Sequence, residues 1–146
     1  MNTILRDKRK LFKIMFVLYV AVLLLITVVR PWNPAYQLFD GKINLTLFTD
    51  YKTVLQVGIS RFIYLFVGNM FWFVPFGFYQ AACKRKPILI TVLMGFGLSL
   101  FIETMQFILG TGVSEIDDLI LNTFGCFIGS ITALPFLKNR TISKKE

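Results

Sequence analysis

The chain has 146 residues, of which 55% are hydrophobic and only 16% charged, too apolar a balance for a soluble domain of this length. The net charge of +8 would suit nucleic acid, but the basic residues stand in short clusters between apolar runs, which argues against a nucleic-acid partner and for the charge bias of membrane loops. There is no histidine, so Ser-His-Asp and Cys-His chemistry is excluded within this chain, and Cys83 and Cys126 form neither a disulfide framework nor a metal motif.

The apolar segments predict an all-α integral membrane unit: a four-transmembrane-helix bundle with both termini cytoplasmic. A basic N-terminus (1–11) leads into the first segment, 12–29. No small-x-small cleavage site follows, since the chain runs Val28-Val29-Arg30-Pro31-Trp32, and the segment reads as a retained anchor rather than a signal peptide. Residues 30–56 form the one long connection, an extracellular loop broken by Pro31, Pro34 and Gly41, with Trp32 and Tyr36 as interfacial anchors. Within it, 43–53 is expected as a short amphipathic piece on the membrane surface, and Asn44-Leu45-Thr46 matches the weak glycosylation sequon.

Three further segments, 57–83, 88–109 and 116–137, make a three-helix membrane core (57–137). Each reaches the roughly 17–25 apolar residues that a spanning helix needs, and 57–83 exceeds it, so that helix is tilted or begins at the interface. The short links 84–87 and 110–115 make these helices antiparallel neighbours. A basic tail (138–146) closes the chain. With both termini inside, 12 of the 16 Lys and Arg residues fall on the cytoplasmic side and 4 (Arg30, Lys42, Lys52 and Arg61) outside, the asymmetry that sets orientation.

Polar residues inside these segments are the candidates for function, because ionisable groups are costly in hydrocarbon and face a bundle interior or a wet cavity. At 1.5 Å per residue, Glu103 lies about 9 Å below the outer end of the third helix, Asn122 about 9 Å down the fourth, and Asn69 about 12 Å down the second. Gly95, Ser99, Glu103 and Gln106 share one helical stripe, and Asp118, Asn122, Gly125 and Gly129 another. Each stripe is polar toward the outside and small-residued toward the cytoplasm, where Gly95-x-x-x-Ser99 and Gly125-x-x-x-Gly129 let backbones approach. The expectation is an outward-opening pocket lined by Glu103, Gln106, Asp118, Asn122, Asn69, Asp117 and Arg61, closed below by packing.

Structural roles compete for several of these residues. Ser114-x-x-Asp117 has the spacing of a capping box. Glu103 could lock the bundle through Asn122 or Asn69, and Asn69 could serve only as a helix–helix donor. Arg61 snorkels to the interface or pairs with Asp117 or Asp118. Pro75, next to Phe76-Gly77, kinks the second helix or hinges access to the pocket. Glu115 reads as a solvated loop charge.

Asn69-x-x-x-Phe73-x-Pro75-Phe76-Gly77, Glu103-x-x-Gln106 and Asp117-Asp118-x-x-x-Asn122-Thr123-x-Gly125-x-x-x-Gly129 together resemble the VanZ-like family, over residues 57–137. The resemblance implies a small bacterial membrane protein. It also implies a link to resistance against teicoplanin, a lipoglycopeptide, with little effect on vancomycin. The family often carries an Arg shortly before the Asp pair, where this chain reads Gly112-Val113-Ser114-Glu115. It also often shows an Asn-Leu-Ile-Pro-Phe-like patch in the outer loop, degenerate here as Asn44-Leu45-Thr46-Leu47-Phe48.

Three functional readings stay open. The first is a binding protein whose greasy pocket takes a lipid-like or lipoglycopeptide ligand, with Glu103 and Asp118 facing a cationic or hydrogen-bonding head group. The second is a membrane enzyme acting on a lipid or cell-wall precursor, with paired carboxylates as acid and base or around a divalent cation, though no phosphate loop or nucleophile motif is present. The third is a small transporter or complex subunit, for which four helices are few unless the chain forms a homo-oligomer. No cofactor and no resident metal are expected; the lipid bilayer is the one partner common to all three.

Overall fold

The computed structural model describes residues 3–30, 37–48, 55–56 and 58–137. Helix α1 spans Thr3–Leu24 and continues as a π-helical turn, Leu25–Val29. A short strand, β1 (Lys42–Asn44), precedes α2 (Ile59–Ala82) and α3 (Ile88–Leu109); β2 (Val113–Glu115) then leads directly into α4 (Ile116–Thr132). Three stretches, Arg9–Val29, Ile88–Leu109 and Ile116–Leu137, are long and apolar enough to cross a membrane. At 24 residues, α2 is about 36 Å long and lies along α4.

The first helix starts at Thr3 rather than at residue 12, because the charged lead-in of Arg6, Lys8, Arg9 and Lys10 consists of good helix formers with nothing to interrupt them. It ends at Arg30, whose backbone turns left-handed (φ 43°) and whose N–H returns to the Leu25 carbonyl at 3.0 Å. Helix α3 runs from the residue after Pro87 to Gly110, which takes φ 61° and gives its N–H to the carbonyls of Gln106 and Phe107, an ending glycine accepts without strain. Helix α4 stops at Thr132, short of residue 137, and a further helical turn covers 134–137.

The purely helical expectation misses one element. β1 and β2 pair in parallel, with Lys42 opposite Val113, Ile43 opposite Ser114 and Asn44 opposite Glu115. The start of the stretch expected as an amphipathic surface piece is therefore a strand. Past it, the Asn44 side-chain oxygen accepts from the Thr46 backbone N–H at 3.1 Å, a local turn that competes with helix. Residues 49–53, the remainder of that expected piece, lie outside the described residues, as do Trp32, Tyr36 and the tail 138–146.

The bundle is held by close backbone approach and polar ties, since lipid tails are as apolar as leucine and offer helices no hydrophobic drive to associate. α2 and α4 touch at glycine: a methyl at Gly77 would stand 2.0 Å from the Cys126 carbonyl oxygen, one at Gly125 2.1 Å from that of Met70, and one at Gly129 2.0 Å from that of Val74. Gly95 of α3 meets the Cys126 side chain from the other side. The buried core joins Leu23, Val28, Phe73, Phe76, Ile102 and Cys126. α1 docks through Phe16, stacked on Tyr79 with ring centroids 3.7 Å apart, and through the Tyr19 hydroxyl, which donates to the Trp72 carbonyl. Pro75, inside α2, lacks an N–H, so the Phe71 carbonyl four residues before it has no i→i−4 donor in the helix. Leu11, Phe12, Met15, Leu18, Leu93 and Phe101 point outward, a surface suited to lipid.

Candidate functional site

Where α3 ends and α4 begins, the chain must reverse within six residues, and the polar side chains gather around that reversal. Ser114 turns its hydroxyl back to the Glu103 carbonyl at 2.6 Å, and the Glu115 backbone N–H reaches the Glu103 carboxylate at 2.9 Å. Glu103 thus holds the β2 strand against α3 with both its backbone and its side chain. The capping box does not form: Glu115 occupies the cap position of α4 with no side-chain cap, because Ser114 is already committed to Glu103. Asp117 instead accepts the Phe48 backbone N–H at 2.8 Å, fastening the segment after β1 to the first turn of α4. That N-terminal turn favours a carboxylate through its dipole.

The other candidate residues are tied in pairs rather than gathered around one cavity. Asn69 of α2 donates to Asp118 of α4. Asn122 of α4 donates to the Ser99 hydroxyl of α3 at 3.0 Å. Gln106 leaves α3 toward the end of the first helix and donates to the Thr27 carbonyl at 3.0 Å. Arg61 belongs to α2, and its side chain lies outside the described residues. Glu103 bonds to neither Asn122 nor Asn69; its carboxylate partner is the Glu115 backbone.

One cleft of about 270 Å³ opens beside this reversal, lined by Ile43, Leu45, Leu100, Glu103, Thr104, Phe107, Ser114, Glu115, Ile116 and Leu119. Its α3 wall, residues 100, 103, 104 and 107, is a single helical face. β1 supplies Ile43, the residue just past it is Leu45, and α4 supplies Ile116 and Leu119. Of the residues expected to line a pocket, Glu103 lines this cleft; Gln106, Asp117, Asp118, Asn122 and Asn69 are not among its lining residues. Among the described residues, no group of three or more Cys, Asp and Glu side chains is arranged to hold a metal ion.

Arg30 is the residue that the sequence did not mark. Its Nε donates to the Thr27 carbonyl and its Nη1 to the Thr111 carbonyl, both at 3.2 Å, and the guanidinium lies over Gly112, where a methyl would stand 2.6 Å from Nη1. A cation therefore sits at the Gly112-Val113 turn, supplied from the end of α1 rather than from the turn itself. No feature of Val29-Arg30-Pro31 in the sequence marks that side chain as running back toward the bundle; the left-handed turn at Arg30 (φ 43°) is visible only in the structure.

The protein-family model described as VanZ/LLP1 matches residues 16–138, from α1 through the reversal to the end of the helical core. Searches of the curated proteins and of the solved structures returned no match.

Proposed function

The chain belongs to the VanZ/LLP1 family, and on that premise we propose a VanZ-like binding protein of the bacterial plasma membrane that confers low-level resistance to lipoglycopeptides such as teicoplanin. In this reading α1, α2, α3 and α4 all cross the bilayer, both termini are cytoplasmic, and β1, β2 and the α3–α4 reversal stand at the outer side. The 12-to-4 distribution of basic residues supports that orientation. The cleft beside Glu103 then lies in the outer half of the membrane, where it takes the acyl chain of a lipid-like ligand and lowers the antibiotic's access to cell-wall precursor.

The observation that carries the reading is the composition of the cleft. Aliphatic and aromatic side chains from β1, α3 and α4 wall it, and a buried carboxylate sits among them. Such a site suits an amphiphile better than a wholly polar metabolite. The experiment is teicoplanin and vancomycin susceptibility in a Gram-positive host expressing the chain, with Glu103→Gln alongside. Selective protection against teicoplanin, lost in the variant at equal membrane abundance, is the expected result. Absence of protection with the protein present in the membrane overturns the reading.

A further inference from the structure

We infer that the cleft selects its occupant through a hydrogen-bond-donating ammonium on the head group, so that a lipid with a primary amine is held in preference to one with a quaternary trimethylammonium. The inference rests on the reading of the cleft as a lipid site and names what that site recognises.

Donors and acceptors are unequally placed around the cleft. Its polar lining is Glu103, Thr104, Ser114 and Glu115. The Thr104 hydroxyl gives its hydrogen to the Leu100 carbonyl at 2.7 Å, the Ser114 hydroxyl to the Glu103 carbonyl, and the Glu115 N–H to Glu103 Oε2. Arg30 acts electrostatically on Glu103, but its Nε and Nη1 donate to backbone carbonyls. Each of these donors is therefore directed to a group of the protein itself. Glu103 is only 7% exposed, and its Oε1 receives no hydrogen bond from any described residue. A carboxylate that lines a cleft in a membrane interior is costly unless a donor meets it. The cleft thus presents acceptors and negative charge, the complement of an N–H-bearing cation and a poor match to an anionic head group.

The apolar walls cannot supply the discrimination. A lipid tail leaving the bilayer for the cleft exchanges one hydrocarbon environment for another and gains little. What distinguishes one amphiphile from the next is the interaction at Glu103 Oε1, which needs a hydrogen to donate. Phosphatidylethanolamine and phosphatidylcholine carry the same net charge and differ in that hydrogen, so comparing them separates hydrogen bonding from charge.

The test uses the full chain in vesicles of phosphatidylcholine doped with brominated-chain phosphatidylethanolamine, phosphatidylcholine or phosphatidylglycerol. Leu100→Trp and Phe107→Trp, made separately, place a fluorescent reporter on the cleft wall, each read as the difference from the parent chain. The expected result is a relative binding constant about threefold to tenfold higher for the ethanolamine lipid than for the choline lipid, lowest for the glycerol lipid, with the preference abolished by Glu103→Leu. Equal constants for the three lipids overturn the head-group inference while leaving a lipid site in place. No quenching at either reporter by any lipid overturns the lipid-cleft reading itself. The head-group comparison needs only one reporter that folds, and it does not depend on the Glu103 variant.

Discussion

The α2–α4 contact predicts a sharp difference between two substitutions that look alike. In Gly125→Ala the new methyl would stand 2.1 Å from the Met70 carbonyl oxygen. A carbon–oxygen contact settles at about 3.3 Å or more, so the helices must part by roughly 1 Å or a backbone must bend. Overpacking of this size costs about 1–3 kcal/mol. Gly97→Ala, on α3, is the control, since nothing lies within 4 Å of the methyl it would add. Both variants gain the same roughly 0.5–1 kcal/mol that alanine brings to a helix interior, so that gain cancels in the comparison. Gly125→Ala is therefore expected to be less stable than Gly97→Ala by about 1–3 kcal/mol, and less stable than the parent in most of that range. The measurement is equilibrium unfolding of the purified protein in mixed micelles titrated with SDS, followed by tryptophan emission. Equal stability of the two alanine variants would refute the claim that α2 and α4 meet backbone to backbone at Gly125.

The Asn122–Ser99 hydrogen bond is expected to couple α3 and α4 by about 0.6–1.7 kcal/mol; a double-mutant cycle with Asn122→Ala and Ser99→Ala in the same SDS titration checks it, and a coupling near zero would remove the tie. Cys83 is exposed and Cys126 is buried, so a maleimide should label the folded protein at Cys83 alone. With a membrane-impermeant maleimide, labelling is expected only after the cells are permeabilised; labelling in intact cells would invert the proposed orientation.

The helices were legible because their punctuation is strong. Pro87 and Gly110 bracket α3, and the structure places its ends where the sequence does. The glycine positions were legible too, since Gly125 and Gly129 share a face that can bury nothing larger. The convergence of the polar residues was not. Depth along a helix follows from counting residues, but direction around the axis is unforgiving. Residues three apart differ by about 60° in azimuth at 100° per residue. That is enough to send Gln106 to α1 while Glu103 stays at the α3–α4 reversal. Asp118 and Asn122 are one turn apart on α4, yet one meets α2 and the other α3, because α4 lies between them. The parallel strand pair left no trace in the sequence either. Three residues are too few to show an alternating pattern, and parallel partners are brought together only by the fold around them. Arg30 was counted as a loop charge, since nothing local indicates that its side chain runs back over Gly112.

The β1–β2 pair also sets an order of assembly. Lys42 and Val113 are 71 residues apart in the chain (113 minus 42). At a synthesis rate of about 5–20 residues per second, β1 leaves the ribosome roughly 4–14 s before its partner exists. During that interval β1 has no strand to join, and Phe48 has no Asp117 to receive its N–H. Ile43 and Leu45 reach the cleft only after α3 and α4 are both in place. A chain stalled before Val113 therefore lacks both β2 and α4, and with them the partner of β1 and one wall of the cleft.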